Sequence, residues 1–392
     1  MKKLFHKAFY AICKFVCVFI YFPQGYRWHS YKPKSKNYIV LTNHTTYWDH
    51  FLVGLALPKQ MYFVASEHIF RLGFLSKALV FLVNPIPRRK GSSGADTAAE
   101  MVRRLKEGSN VCMQAEGNRS FSGESGFVAP NTAKVVKEGG AGLITYKIHG
   151  GYFVNPRWSR IKRKGPTWGE VAGEYTKEQL AEMSTEEIQS IIERDLYVNA
   201  YQDQEKFGYE YKCEAPADGL ENALFACPGC KEIACLRSEG DKLVCSRCGQ
   251  VHTMDAKGYL HKNGKGEGFA TILGWSRWEQ NYLKEYIDSK AEGELLFKIG
   301  GRNLNEVHAL EGVTNLAYGC VEMYRDRLVL APENGEKPIE FSLADISSMA
   351  VSLVNTLLFT ANGIYYEIKG QTPGSGLLVL QAYFYLTGRK YK

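Results

Sequence analysis

Asn43, His44 and Asp49 stand in the segment NHTTYWD, directly after the run NYIVLT at 37–42. Five positions turn two side chains about 140° apart on an ideal helix, so His44 and Asp49 share no helical face and meet only across a bend. NYIVLT is β-branched and aromatic and reads as a buried strand, and Thr45 or Thr46 offers an oxygen to cap a helix that Tyr47 begins. Open α/β sheets carry their chemistry at such strand ends. There Asp49, one turn into the helix, reaches back to Nδ1 of His44, fixes the tautomer and leaves Nε2 as a general base near neutral pH. No serine or cysteine nucleophile is needed when the substrate brings its own hydroxyl. Alone, the same spacing also fits a capping or packing histidine.

A second segment, NVCMQAEGNRS at 110–120, reads as an apolar strand ending in Glu116 and Gly117, with Arg119 projecting from the loop beside Ser120. A planar guanidinium held by a buried carboxylate suits a phosphate monoester, and the glycine lets the backbone approach. The plain alternative is a surface turn with a solvated arginine.

With both segments in view, residues 1 to about 165 resemble the phospholipid and glycerol acyltransferases, specifically the 1-acyl-glycerol-3-phosphate (lysophosphatidate) type. The family's NHxxxxD block corresponds to Asn43, His44 and Asp49, and its EGTRS-like block to Glu116–Ser120, with Asn118 where threonine is usual. Between them FLVNPIPRRK matches a basic block ending in Arg88, Arg89 and Lys90. The fourth block departs: GLITYKIHGG at 142–151 has no proline until Pro156. The resemblance implies direct acyl transfer from acyl-CoA or acyl-carrier protein to the sn-2 hydroxyl of the lysophospholipid acceptor, giving phosphatidate. His44 would be the base and Asp49 its orienter. Arg119 would bind the acceptor phosphate with Arg88 and Arg89 as helpers, Glu116 would position the loop, and Asn43 or nearby amides would polarise the carbonyl.

A lipid substrate requires contact with a membrane. The first 22 residues are apolar but hold Lys3, Lys7 and Lys14 within about 40° of one another on a helical wheel, near Lys2 and His6. The uninterrupted run Phe15–Pro23 is shorter than the roughly 20 residues that cross a hydrocarbon core. An interfacial helix over 1–22 is therefore expected on an anionic membrane surface at the cytoplasmic face, with a helix packed on the protein's own core as the alternative. No small-residue cleavage site follows, which argues against a signal peptide.

Ten cysteines without a secretory signal belong to a reducing compartment. Cys227-Pro-Gly-Cys230 and Cys245-Ser-Arg-Cys248 are two C-x2-C knuckles separated by 14 residues. Four thiolates from two tight turns close a tetrahedral shell with no place for water, so a structural zinc is expected; disulfides and iron are the alternatives. The net charge of +8 and a zinc ribbon also suit nucleic acid. However, the densest basic segment, PRWSRIKRKG with Arg157, Trp158, Arg160, Lys162, Arg163 and Lys164, follows the catalytic region and not the ribbon. It suits anionic lipid or coenzyme A phosphates, or a solvated loop, and no nucleic acid is expected.

Thr176-Lys-Glu-Gln179 and Ser184-Thr-Glu-Glu187 read as capping boxes of helices that link the catalytic part to the ribbon. WSRWEQNYLKEYI suggests another helix. From residue 293 the pattern changes to seven short period-two runs, broken by Asn334-Gly335 and Asn362-Gly363, before a helical end. The expected architecture is α/β, a mixed sheet flanked by helices, plus a zinc ribbon and a β-rich pleckstrin-homology-like domain. Its parts are an interfacial helix at 1–22, an acyltransferase domain with helical linker at 23–212, a ribbon at 222–255 and a β-rich domain at 293–392. The tail docks a membrane or partner, or packs a homodimer. Other readings stay open: an acyltransferase with another glycerolipid acceptor, or a non-catalytic zinc-dependent lipid or nucleic-acid adaptor.

Overall fold

The computed structural model describes residues 2–66, 69–70, 73–88, 94–264, 266–308, 312–370 and 375–389. Among these, residues 2–156 and 163–211 form one compact unit, and 157–162 with 212–389 form another.

The first unit is built on a seven-stranded sheet. Its elements run α1 (Lys2–Tyr21), β1 (Tyr26–Trp28), β2 (Tyr38–Thr42), α2 (Asp49–Ala56), β3 (Met61–Ser66), α3 (Phe74–Val83), β4 (Ile86–Arg88), α4 (Ala95–Lys106), β5 (Asn110–Gln114), α5 (Asn131–Gly139), β6 (Gly142–His149), α6 (Gly151–Val154), β7 (Thr167–Tyr175), α7 (Lys177–Glu182), α8 (Thr185–Leu196) and α9 (Ala200–Phe207). The strand order is β1-β7-β6-β2-β5-β3-β4. β2 lies parallel to both β5 and β6, whereas β6 and β7 are antiparallel, so the sheet is mixed.

All five residues of β2 are buried, as expected of a strand covered on both faces. Ile39 and Leu41 meet α4, α5 and α8 through Met101, Leu105, Val136, Ile188 and Ile192. Tyr38 and Val40 point the other way, onto Leu52 and Val53 of α2 and Cys17 and Tyr21 of α1. The period-two alternation of one strand thus assigns helices to the two faces.

α1 is bolted to this second layer, and its cationic stripe divides: Lys7 is exposed as the wheel suggested, whereas His6 and Lys14 turn inward. His6 is buried against Tyr62 and the Phe81 carbonyl, and Lys14 Nζ donates to Leu57 O at 2.6 Å, just past the end of α2. A helix C-terminus presents unpaired carbonyls and partial negative charge, which draw the ammonium inward. Beyond Lys7 the outward side chains are largely apolar: Ile12, Phe15, Val16, Phe19 and Ile20 are all exposed. The stretch Phe5–Gln24 is long and apolar enough to cross a membrane by length and composition alone, more than the interrupted apolar run implied.

Both capping boxes form, Thr176 with Gln179 and Ser184 with Glu187. Their helices are not a linker. The buried Ile188 and Ile192 of α8 belong to the sheet's core, so the segment is part of the first unit.

In the second unit, β8 (Leu236–Glu239), β9 (Lys242–Cys245), β10 (Val251–Met254) and β11 (Leu260–Asn263) form a four-stranded antiparallel sheet, followed by α10 (Ile272–Asp288). Then come β12 (Phe297–His308), β13 (Gly312–Met323), β14 (Arg327–Pro332), β15 (Ile339–Ser342), β16 (Ile346–Ser352), β17 (Thr356–Ala361), β18 (Ile364–Gly370) and α11 (Gly376–Thr387). These seven strands pair antiparallel in the order β15-β14-β13-β12-β18-β17-β16. Asn362 and Gly363 both have positive φ, the signature of the tight hairpin turn that Asn-Gly favours. The ribbon and the β-rich part were expected as separate domains but belong to one unit. Glu279 of α10 is fully buried and accepts from the backbone N–H of Phe225 at 2.8 Å, two residues before the first knuckle.

The basic segment also departs from expectation. Trp158 is completely buried, Arg163 is buried, and Arg157 donates to the carbonyls of Val351 and Leu353. These side chains are structural, and only Arg160, Lys162 and Lys164 stay exposed.

Candidate active site

β2 ends at Thr42, and the chain bends through residues 43–48 before α2 opens on Asp49 itself, two residues later than expected. The bend brings His44 Nδ1 to 2.8 Å from Asp49 Oδ2. Thr46 Oγ accepts from the Trp48 N–H at 3.0 Å, at the entry to α2, and both threonines donate to Asp49. Thr45 N–H reaches Oδ2 at 2.7 Å, while Thr45 Oγ, Thr46 N–H and Thr46 Oγ reach Oδ1 at 3.0, 2.9 and 2.8 Å. Burial opposes charge on this carboxylate, but the hydrogen bonds from His44, Thr45 and Thr46 outweigh it and hold Asp49 below the ordinary carboxylate range. Asp49 is 1% exposed and the His44 side chain 23%, so the imidazole rim reaches the surface while its anchor does not. Gly151 lies against this bend: a Cβ there would sit 2.2 Å from Thr45 Oγ, so any side chain would displace one of the donors to Asp49.

Glu116 lies beside His44 but does not hold Arg119 as expected. Its carboxylate accepts from the N–H of His44 at 3.0 Å and of Gly126 at 2.5 Å, tying two loops together. Burial pushes its carboxyl up to about 7, with Asp49 adding to the effect and the two N–H groups opposing it. Arg119 is buried at 6% exposure. Its Nη1 donates to Asn155 O and Oδ1 at 2.8 and 2.9 Å, and its guanidinium carbon sits 3.9 Å from the Tyr47 ring centre. Desolvation lowers its pKa.

The cleft beside His44 is lined by Asn43, Glu116, Ser120, Glu124 and Tyr152, among others, and Arg119 is not in that lining. Asn43 is committed to β6, its Nδ2 donating to Ile148 O and its Oδ1 accepting from Ile148 N–H, both at 2.8 Å. Its amide therefore clamps two strand ends. Ser120 Oγ accepts from the N–H of Ser122 and Gly123 and shapes the loop. Gly117 takes φ +65°, a conformation that suits the turn after the strand, and Asn118 beside it is half-buried. Arg88 is half-buried in β4, its guanidinium against Gly94, whereas Arg89 and Lys90 lie outside the described residues. Tyr47 and Asn155 escaped the sequence reading; an aromatic between His44 and Asp49 was the one available cue.

In the second unit the four sulfurs of Cys227, Cys230, Cys245 and Cys248 all lie within 4.8 Å of one another. The Cys227–Cys248 and Cys230–Cys245 separations are both 3.7 Å. Metal–sulfur bonds of about 2.3 Å in a tetrahedron require edges of about 3.8 Å, so the cluster fits a tetrahedral thiolate site. The N–H groups of Arg247 and Cys248 point at the Cys245 sulfur from 3.4 and 3.5 Å, as suits a negative ligand. All ten cysteines are free of disulfides.

A buried carboxylate holding an imidazole at the end of a central strand in a mixed α/β sheet is the equipment of an enzyme that activates a hydroxyl. Residues 25–149 match the Acyltransferase family model. Among solved structures, the chain is similar to the 1-acyl-sn-glycerophosphate (LPA) acyltransferase PlsC from Thermotoga maritima, at 18% identity over 46% of this chain and 72% of that one, with a TM-score of 0.38. It is also similar to a chain of the 8S snRNP assembly intermediate, at 17% identity over 26% and 85% of the two chains, with a TM-score of 0.18. No curated protein matches the chain.

Proposed function

We propose that the protein transfers an acyl group from a thioester, acyl-CoA or acyl-carrier protein, to the sn-2 hydroxyl of 1-acyl-glycerol-3-phosphate. The observation that carries this reading is the His44–Asp49 contact at a cleft within a domain of acyltransferase type. With Nδ1 bound to an ionised Asp49, Nε2 is the basic ring nitrogen. It takes the hydroxyl proton as the oxygen attacks the thioester carbonyl; the C–O bond forms, the C–S bond breaks, and the imidazolium returns the proton to the leaving thiolate. Asp49 offsets the positive charge that appears on the ring between these steps.

Arg119, stacked on Tyr47 behind the bend, supplies positive potential for the acceptor phosphate, with Arg88 as helper and Arg89 as an expectation from sequence. Glu116 fixes the backbone on which His44 rides. Four thiolates at tetrahedral spacing favour zinc over harder cations, and a closed shell makes it structural. The outward apolar face of α1 suits a monotopic attachment, and ten free thiols suit the cytoplasmic side of the membrane. Seven antiparallel strands followed by α11 suit a pleckstrin-homology-like module.

The test is incubation of the purified protein with labelled acyl-CoA and a panel of lyso-acceptors. Lysophosphatidate is the expected acceptor, and His44→Ala is expected to remove turnover while leaving the circular dichroism spectrum intact. Unchanged turnover in that variant ends the proposal; transfer only to another lysolipid retains the chemistry and replaces the acceptor.

A further inference from the structure

Cys235 is the fifth cysteine of the ribbon and stands outside the four-sulfur cluster. It is buried, at 6% exposure, yet its Sγ lies 3.4 Å from Cys245 Sγ and 3.2 Å from Glu232 O. The backbone around the pair is pinned. Ser246 donates to the Cys235 carbonyl from both its N–H, at 2.9 Å, and its Oγ, at 2.8 Å, and Leu236 is in register with Cys245. A disulfide needs sulfurs about 2.05 Å apart, so this pair must close by only about 1.4 Å, within reach of side-chain rotation. The Cys227–Cys248 and Cys230–Cys245 pairs, by contrast, sit at tetrahedron edges, where both sulfurs serve as ligands. With four thiolates on a metal, Cys235 has no coordination position and stays a thiol, its hydrogen donated to Glu232 O and its sulfur left facing the Cys245 sulfur.

We propose that Cys235 is a resolving thiol for the four-cysteine centre, converting oxidation of Cys245 by a hydroperoxide into a Cys235–Cys245 disulfide and release of the metal. The Cys245 thiolate attacks the peroxide; an S–O bond forms, the O–O bond breaks, and the departing hydroxide or alkoxide takes a proton from water. The Cys235 sulfur then attacks the sulfenic sulfur. The S–S bond forms, the S–O bond breaks, and the leaving hydroxide becomes water with the Cys235 proton. Two thiols are oxidised by two electrons and the peroxide is reduced; the three cysteines left no longer close a four-thiolate shell, and the metal would be released. This inference stands apart from the acyl-transfer reading and holds or fails without it.

The experiment uses the full-length, zinc-loaded protein treated with hydrogen peroxide, with zinc release followed by a chromogenic chelator and disulfides mapped by mass spectrometry after alkylation. Expected are Cys235–Cys245 as the main disulfide, zinc release in step with it, and restored zinc binding after reduction by a dithiol. Cys235→Ser, which keeps nearly the same volume, is expected to slow zinc release about tenfold. Release at the wild-type rate in that variant, or a wild-type map showing Cys227–Cys248 or Cys230–Cys245 with Cys235 still alkylatable, overturns the proposal. The wild-type map decides even if Cys235→Ser purifies without zinc.

Discussion

Replacing Asp49 with asparagine keeps the side chain's shape and removes its charge, at a position where every lone pair is used. Oδ1 accepts from three donors and Oδ2 from two, so neither orientation of the amide satisfies the bend. If the amide oxygen takes the Oδ1 place, its NH2 faces the Thr45 N–H and His44 Nδ1. The N–H is orphaned, and the ring must accept at Nδ1, which moves the proton to Nε2 and removes the base. If the amide turns over, the Thr46 N–H loses its acceptor instead, although both threonine hydroxyls can rotate. One buried N–H left unpaired costs about 1–3 kcal/mol. For a unit of this size that lowers the unfolding temperature by about 2–4 °C per kcal/mol. The wrong tautomer and the uncompensated imidazolium cost about 10³–10⁴-fold in kcat. Coenzyme A release, read with a thiol reagent under saturating donor, gives kcat, and calorimetry gives stability. A folded Asp49→Asn protein retaining kcat within tenfold of wild type would refute the assignment of His44 as the base.

Three further outcomes follow from the geometry. Glu116 has its carboxyl raised from 4.5 to about 7, so the folded state prefers the protonated form; the stabilisation is complete below pH 4.5 and lost as pH rises through about 7. Wild type should therefore lose stability relative to Glu116→Gln between pH 5 and 8, by on the order of 2–3 kcal/mol in urea unfolding, and a pH-independent difference contradicts the raised value. Arg119→Lys keeps the charge but not the guanidinium plane that lies over Tyr47 while its Nη1 bonds Asn155, so the acceptor KM should rise about tenfold with kcat nearly constant; a loss confined to kcat argues against a binding role. Metal analysis should find one zinc per chain, and Cys227→Ser should lower both zinc content and the unfolding temperature of the ribbon; full zinc retention refutes the four-thiolate site.

The bend between His44 and Asp49 was legible because the spacing excludes a common helical face, and the four-cysteine cluster because two knuckles have few other uses. Both signals are local in sequence. The partners of Arg119 were not legible: Asn155 lies 36 residues away, and only the packing of α6 beside the bend brings it near. The pairing of Glu116 with Arg119 was misread for a related reason, since the actual partners of the Glu116 carboxylate are backbone N–H groups, which leave no trace in side-chain identity. The inward turn of Lys14 and His6 on α1 was not legible because periodicity defines a face without saying what covers it. In the β-rich part, the apolar runs mark only the ends of β12 and β13. Their middle portions carry Asn303, Asn305 and Asn315, whose amides bond to one another across the strands and hide a ladder behind polar letters.

Tyr21, at the end of α1, packs 6.0 Å from the Trp48 ring and 5.2 Å from the Phe51 ring, on either side of Asp49. A greasy rod fixed this firmly to the residues flanking the reactive imidazole behaves as a gauge and not as a tether. With α1 attached to a leaflet as proposed, the depth of the rod would set the height of the imidazole above the hydrocarbon. Under the proposed reaction the acceptor's hydroxyl would have to rise to that level, and leaflets of different thickness or headgroup bulk would be sensed through that one dimension.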